Sequence, residues 1–189
     1  MILDLSEYNH REDLKQHLEF IDFYKKILLE NNIFRAAVIV GSFAKGKPDR
    51  VSDIDLVVIV DDKNGKKSFD IIDSKKCFQE VYSYKGEDSG KFYFKKMIFE
   101  NFVSAEIHIC EKSSEFRLKR PYITLFDHDN FLNSITENGE APKHEDFPAL
   151  STGGDEMGWA LLDLLKWSIR GNKKLTKLHL LKIADELRK

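Results

Sequence analysis

Near the start of the chain, hydrophobic positions recur at intervals of three, four and seven residues, the spacing of one helix face. The residues on this face are Leu14, Leu18, Ile21 and Leu28. Asn9 can cap the first turn, and Glu12, three residues later, completes a capping box. The pattern predicts a helix that begins at Asn9, ends at Asn31-Asn32 and packs one face on a sheet.

Four runs of apolar, β-branched and aromatic residues predict strands. They cover residues 34–40, 53–60, 92–99 and 102–110. Glu100-Asn101 joins the last two runs, which favours a hairpin. Between the second and third runs, residues 69–78 favour a helix, residues 79–84 a strand and residues 85–90 a loop. Residues 121–130 favour a strand that closes in a turn rich in Asp and Asn.

The last part of the chain predicts a helical hairpin. Residues 141–154 contain two prolines and a Ser-Thr-Gly-Gly run, as a linker does. Two segments with helical periodicity follow, 155–170 and 175–188, separated by Gly171-Asn172. The predicted organisation is a domain at 1–140, a linker at 141–154 and a hairpin at 155–189.

The two hairpin helices carry more apolar surface than one packing stripe needs. In the first, Leu161, Leu164 and Leu165 form a predicted inward stripe that Trp159, Leu162 and Trp167 widen. In the second, the predicted inward residues are Leu178, Leu181 and Ala184. Such helices must cover a core, pair with another chain, or both. A homodimer through the C-terminal helices is one hypothesis that follows.

Composition limits the partners. Thirty basic residues against thirty-two acidic ones give a formal net charge of −2. No global basic field is present to hold nucleic acid, so a small-molecule partner is favoured over a polynucleotide. No apolar run approaches the roughly 20 residues that span a bilayer, and no secretion signal is visible. Cys77 and Cys110 are far apart in the sequence and form no C-x-x-C pair. This cysteine usage is typical of proteins in a reducing compartment, so we expect a cytoplasmic protein.

The most informative segment runs from residue 37 to residue 60. A strand-like run ends in Gly41-Ser42, and the next strand-like run begins with Asp53 and Asp55. Because side chains alternate along a strand, the two carboxylates point the same way and can share a cation. Gly41 allows close backbone approach, and Ser42 can donate its hydroxyl to a phosphate. The segment predicts an anion-binding turn that faces a metal site.

Residues 41–47 also match G-x-x-x-x-G-K, the beginning of a P-loop. A P-loop requires Ser or Thr at the next position and a helix that continues from it. Here the next residue is Pro48, and the strand that carries Asp53 begins a few residues later. Both observations exclude the P-loop interpretation.

The Gly-Ser turn and the Asp-x-Asp strand, with ten residues between Ser42 and Asp53, resemble the DNA polymerase β-like nucleotidyltransferase superfamily. The surrounding residues are similar to its small bacterial branch, which includes aminoglycoside and lincosamide nucleotidyltransferases. The resemblance implies an α+β fold: a mixed, mostly antiparallel sheet with flanking helices, here followed by the helical hairpin. It also implies a nucleoside triphosphate substrate and Mg²⁺, with two ions expected.

Glu106 is the candidate for a third acidic residue. Strand alternation places it on a face with Ser104 and His108, and a carboxylate in an apolar strand is costly unless it is paired or binds a metal. The resemblance implies a third acid on a strand beside the Asp-x-Asp pair. Glu106 is therefore either a metal ligand with Asp53 and Asp55 or a general base; an edge-strand glutamate facing solvent is the alternative. His108 is an outside candidate for a supporting role.

Lys45 and Lys47 are the candidate phosphate contacts beside Gly41 and Ser42, with ordinary loop solvation as the alternative for Lys47. Together these residues predict transfer of a nucleotide, most simply AMP from ATP, to a hydroxyl of a small molecule similar to an aminoglycoside or a lincosamide. Two alternatives stay open. One is a minimal nucleotidyltransferase that modifies a protein in a toxin-antitoxin pair, and the other is a catalytically inert nucleotide-binding domain.

Overall fold

The computed structural model describes residues 4–88, 90–139 and 156–188 of the 189-residue chain. The chain divides into two compact units, Met1–Glu140 and Ala141–Lys189. The predicted linker, residues 141–154, lies outside the described residues. Within the described ranges, no helix has both the length and the apolar character that crossing a bilayer would need.

The first unit alternates short helices with strands. Its helices are α1 (Lys15–Leu29), α2 (Gly41–Ala44), α3 (Gly65–Ser74) and α4 (Leu132–Ile135). Its strands are β1 (Phe34–Ile39), β2 (Asp53–Val60), β3 (Glu80–Asp88), β4 (Phe92–Phe99), β5 (Ser104–Glu111), β6 (Leu118–Lys119), β7 (Ile123–Asp127) and β8 (Thr136–Glu137). The predicted strands at 34–40, 53–60 and 92–99 agree with β1, β2 and β4.

Six strands form the main sheet in the order β3-β4-β5-β2-β1-β7. The central pair, β2 and β5, is parallel, and the other neighbours are antiparallel. A separate two-stranded sheet pairs β6 with β8. The predicted fold class, α+β with a mixed and mostly antiparallel sheet, is therefore confirmed.

The two faces of the main sheet have different coverings. One face packs against α1 and α3 and forms the larger apolar core, to which Phe20, Tyr24, Leu56 and Ile107 contribute. The other face carries a smaller apolar cluster beneath α4 and β6. The rest of that second face is where the candidate chemistry lies.

The first helix begins later than the sequence predicted. Asn9 closes a short 3-10 turn, Leu5–Tyr8, and a second 3-10 turn, Glu12–Leu14, leads into α1 at Lys15. The predicted capping box is therefore wrong, because the capping residue belongs to the end of an earlier turn. The predicted packing face is correct: Leu14, Ile21 and Leu28 are buried, and Leu18 packs against the same core.

Helix α3 begins four residues before the predicted position. The buried Glu111, from the end of β5, accepts a hydrogen bond from the backbone N–H of Gly65 at 3.0 Å. A carboxylate at a helix N-terminus satisfies an orphan donor and opposes the positive end of the helix dipole. This partner lies 46 positions away in the chain, so the local pattern could not indicate it.

Strand β3 extends to Asp88, so the prediction of a loop from residue 85 is wrong. The extra residues pair with β4, in the register Lys85 with Lys95 and Gly86 with Phe94. The predicted hairpin between β4 and β5 is confirmed. Residues 121–130 form β7 and a turn in which Asp129 has a φ of 64°, as turn chemistry predicts.

The second unit contains helices α5 (Met157–Ile169) and α6 (Lys173–Glu186), which confirms the predicted helical pair. Ala160 and Ile183 form an apolar contact between the two helices. Gly171, in the turn between them, has a φ of 69°.

The predicted inward face of the hairpin is partly wrong. Leu161, Leu165 and Leu181 are about half exposed, at 50%, 49% and 52%. The buried hairpin side chains include Trp159, Leu162, Leu175 and His179. Helix α5 carries apolar residues on most of its circumference, so periodicity alone does not select one face. The homodimer stays a prediction.

Lys95 is a buried lysine on the helix-covered face of β4. Its side chain is 2% exposed, and its Nζ lies 2.7 Å from Glu80 Oε1 and 2.8 Å from Asp73 Oδ1. Burial acts to raise the pKa of Asp73, but the hydrogen bonds from Lys95 and Lys85 outweigh it and lower the pKa. The cluster ties the end of α3 to β3 and β4.

We expect Lys95→Met to lower the free energy of unfolding by about 3–5 kcal/mol, because it leaves two partly buried carboxylates without their cation. Lys66→Ala is the matched control, since Lys66 pairs with Asp70 on the exposed surface of α3. That change should cost less than about 1 kcal/mol. Chemical denaturation of the variants measures both values, and equal losses would contradict a special role for Lys95.

Candidate active site

Asp53 and Asp55 lie at the start of β2 and point to the same side of the sheet, as predicted. Both are partly buried and alternate with the buried Ile54 and Leu56. We call the side that carries the two carboxylates the site face. Ser104, on the parallel neighbour β5, donates a hydrogen bond from Oγ to Asp53 Oδ1 at 2.6 Å. Strand alternation predicted this face for Ser104 but no role for its hydroxyl.

Gly41 lies directly against the carboxylate of Asp55. Its φ is 67°, a left-handed conformation, and a Cβ atom at this position would collide with Asp55 Oδ2. The adjacent Val40 N–H donates to the carbonyl oxygen of Asp55 at 2.9 Å. Only glycine combines an easily adopted left-handed conformation with the absence of a Cβ atom. The turn after β1 therefore packs closely against the strand that carries Asp55.

The turn itself is short. Helix α2, Gly41–Ala44, is a single turn, and Lys47 N–H donates to the carbonyl oxygen of Ser42 at 3.0 Å as the chain reverses. A P-loop would continue into a long helix at this point. The exclusion of the P-loop is therefore supported by the backbone as well as by Pro48.

The hydroxyl of Ser42 is buried and has no hydrogen-bond partner among the described residues. A buried polar atom without a partner is costly, so this hydroxyl is suited to a ligand oxygen. Lys45 and Lys47 follow Ser42, and their side chains are exposed at the end of the turn. The four predicted nucleotide-binding residues thus belong to one turn that abuts Asp55.

Glu106 lies beside Asp55, because the parallel register pairs these two residues across β2 and β5. Its Oε1 is 2.9 Å from His108 Nε2 and 3.4 Å from Lys96 Nζ. Burial acts to raise the pKa of Glu106, but the hydrogen bond and charge of His108 and the charge of Lys96 outweigh it. The pKa falls to about 2, so the carboxylate is ionised at neutral pH.

Lys96 is a further residue of the site that the sequence pattern did not indicate, and the register of the β4–β5 hairpin brings it there. It lies opposite Glu106 across the β4–β5 ladder. His108, predicted as an outside candidate, uses Nε2 for Glu106, while its Nδ1 is buried without a partner among the described residues. The signal that could have indicated Lys96 was the pair of consecutive lysines in an otherwise apolar strand, because alternation places one of them on each face.

Among the described residues, no group of three or more His, Cys, Asp and Glu side chains lies close enough to form a ready metal centre. The three predicted metal ligands lie on adjacent strands of the site face. Asp53 accepts from Ser104, and the Glu106 carboxylate contacts His108 and Lys96. Asp53 and Asp55 supply the hard oxygen ligands that Mg²⁺ prefers, so the donor set fits that ion.

The fold and the Gly-Ser and Asp-x-Asp arrangement define a nucleotidyltransferase, and comparison with family models agrees. The model of the nucleotidyltransferase domain matches residues 12–123, more than half of the chain. The chain therefore belongs to the nucleotidyltransferase domain family. No curated protein sequence matches the chain.

Similar solved structures include an aminoglycoside 6-adenyltransferase from Bacillus subtilis, with 15% identity, a TM-score of 0.34, and 53% of this chain and 35% of that one covered. A cytoplasmic RNA terminal U-transferase has 18% identity, a TM-score of 0.41, and coverage of 55% and 34%. A poly(U) polymerase with Mg and 3′-dATP bound has 16% sequence identity and a TM-score of 0.38, and the match covers 57% of this chain and 35% of that one. The match spans about a third of each of these proteins.

We expect Gly41→Ala to weaken binding of Mg²⁺-ATP and to destabilise the fold, because the new Cβ displaces the Asp55 carboxylate. Gly171→Ala is a matched control: its φ of 69° is nearly the same, but a Cβ there meets nothing within 4 Å. Both variants should lose about 1–2 kcal/mol from backbone strain. Calorimetry of ATP binding separates them, and equal affinities in the two variants would contradict the role of the Gly41–Asp55 contact.

Proposed function

We propose that this protein transfers a nucleoside monophosphate, AMP from ATP, to a hydroxyl group of a small molecule in a Mg²⁺-dependent reaction. The contact between Gly41 and the Asp55 carboxylate carries the proposal, because it joins a phosphate-binding turn to the acidic strand. Residues 1–140 are assigned the transfer chemistry. The segment 141–154 is assigned as linker and 155–189 as a separate hairpin.

Asp53 and Asp55 would hold the metal, two ions in our proposal, with Glu106 as the third acidic residue. When bound, the ions neutralise phosphate charge and activate the attacking oxygen. The protein contributes the fixed orientation of the two carboxylates: Ser104 donates to Asp53, and the Gly41 turn abuts Asp55. Positioning of this kind is the main contribution of a protein to phosphoryl transfer.

The turn after β1 would bind the triphosphate. Ser42 offers a buried hydroxyl that a phosphate oxygen would satisfy. Gly41, without a side chain, lets the phosphate approach the backbone. Lys45 and Lys47 would neutralise the outer phosphates as mobile point charges, since neither has the planar fork of arginine.

Glu106 acts, in this proposal, through its negative charge. The contacts with His108 and Lys96 lower its pKa, which favours the ionised carboxylate. Lys96 and His108 hold it in place in the absence of a ligand. A divalent cation can compete with these two contacts for the same oxygen.

We expect Mg²⁺ to strengthen ATP binding to the wild-type protein and not to Asp53→Asn or Asp55→Asn, because both changes remove a hard anionic ligand. Isothermal calorimetry with and without Mg²⁺ measures the difference, which should be at least about tenfold. Asp70→Asn is the control, since Asp70 lies exposed on α3 and pairs with Lys66. Equal Mg²⁺ effects in wild type and Asp53→Asn would contradict the metal site.

We expect ATP labelled at the α-phosphate to label a small molecule that carries a hydroxyl. The chain has a net charge of −2, which disfavours a polynucleotide acceptor. A suitable panel contains aminoglycosides, lincosamides, nucleosides and candidate proteins, with Asp55→Asn as the inactive control. Labelling of a protein alone would favour the toxin-antitoxin alternative, and no labelling at all would favour the inert binding domain.

A further inference from the structure

An aromatic surface continues the site face beyond the carboxylates. We call Tyr82, Tyr84 and Phe94 the aromatic shelf; all three side chains are partly exposed. The β3–β4 register pairs Tyr84 with Lys96 and Gly86 with Phe94. Because residues opposite each other in an antiparallel pair share a face, the shelf lies on the same side of the sheet as Lys96.

Two rings of the shelf, Tyr84 and Phe94, contact each other. Tyr84 and Phe94 have ring centroids 5.3 Å apart, and Phe94 and His108 have centroids 6.4 Å apart. Gly86 makes room for Phe94, since a Cβ there would lie 2.7 Å from the ring. Phe94 therefore lies over the neighbouring strand with its ring supported by backbone.

The shelf is continuous with the candidate active site. Across the sheet, Asp55 pairs with Glu106, Glu106 with Lys96, and Lys96 with Tyr84. Strands are spaced about 4.8 Å apart, so β3 lies about 14 Å from β2. A molecule the size of a nucleoside can therefore reach from the shelf to the carboxylates.

The order of strands places the shelf on one side of the carboxylates and the Gly41-Ser42 turn on the other. The turn follows β1, the shelf lies on β4 and β3, and β2 and β5 lie between them. In phosphoryl transfer the attacking and leaving oxygens are roughly in line, on opposite sides of the phosphorus. With the leaving pyrophosphate held at the turn, the acceptor must approach from the shelf side.

The chemistry of the shelf selects for a planar group. The Glu106 carboxylate beside the shelf is already in contact with Lys96 and His108. Aromatic rings with one nearby cation suit the face of a neutral planar ring.

We propose that the aromatic shelf binds the acceptor, and that the acceptor carries its hydroxyl on a group attached to a planar aromatic ring, as in a nucleoside or an aryl glycoside. This inference rests on the proposed function. The acceptor oxygen bonds to the α-phosphorus while the bond from that phosphorus to the bridging oxygen breaks. Pyrophosphate leaves with the electron pair, and the hydroxyl proton passes to solvent.

Binding is tested first, with the full chain saturated with Mg²⁺ and α,β-methylene-ATP so that the triphosphate site is filled. The probes are adenosine, 4-nitrophenyl glucoside and glucose, and the first two should bind while glucose should not. Tyr84→Leu and Phe94→Leu should weaken binding at least about fivefold. Phe23→Leu is the control, because Phe23 is a partly buried ring that packs on the helix-covered side. Equal binding in all variants would overturn the proposal.

Transfer is tested second, with α-labelled ATP and the same probes, and the two arms separate a nucleoside from an aryl glycoside. Tyr84→Leu should raise the KM for the labelled probe and leave Mg²⁺-ATP affinity unchanged, and Tyr84→Phe should retain the wild-type KM.

Weaker ATP affinity in Tyr84→Leu would instead place the adenine base on the shelf. Efficient labelling of an aminoglycoside, with unchanged KM in Tyr84→Leu, would overturn the inference but leave the proposed function intact. If Mg²⁺ does not strengthen ATP binding to the wild-type protein, the proposed function itself is contradicted.

Discussion

The contact between the Gly41 backbone and the Asp55 carboxylate is the constraint on which the site depends. It requires a left-handed glycine at the end of β1 and a carboxylate two residues into β2, with the backbone of Val40 bonded to Asp55. The antiparallel pairing of β1 with β2 supplies that proximity. The Gly41-Ser42 turn and the start of β2 are therefore parts of one packed unit.

The parallel pairing of β2 with β5 extends this unit to a third acidic residue. It aligns Asp53 with Ser104 and Asp55 with Glu106, so each acidic position on β2 has a polar neighbour on β5. The antiparallel β4 then adds Lys96 opposite Glu106. Asp55 and Glu106 thus place two negative charges on adjacent strands, and the contacts of Lys96 and His108 with Glu106 keep that carboxylate ionised beside Asp55.

The parts of this arrangement that depend on local pattern could be predicted from the sequence. Alternation placed Asp53 and Asp55 on one face, and apolar runs located β1, β2 and β4 closely. Contacts between distant residues could not be read in this way. One example is Glu111, which accepts a hydrogen bond from the first residue of α3. Another is Phe102, which has a positive φ of 62° and belongs to the β4–β5 turn and not to β5. A two-residue turn would have placed Lys95 opposite Glu106, whereas the observed turn places Lys96 there.

Strand β4 presents two consecutive lysines to opposite sides of the sheet. Lys95 is buried against Glu80 and Asp73, and Lys96 contacts Glu106 on the site face. Substitutions at odd and even positions of this strand therefore act on separate properties, fold stability on one side and ligand chemistry on the other. A one-residue insertion would exchange the two and damage both. Point changes in β4 can therefore alter one face of the sheet alone, whereas a change in the length of the strand alters both faces.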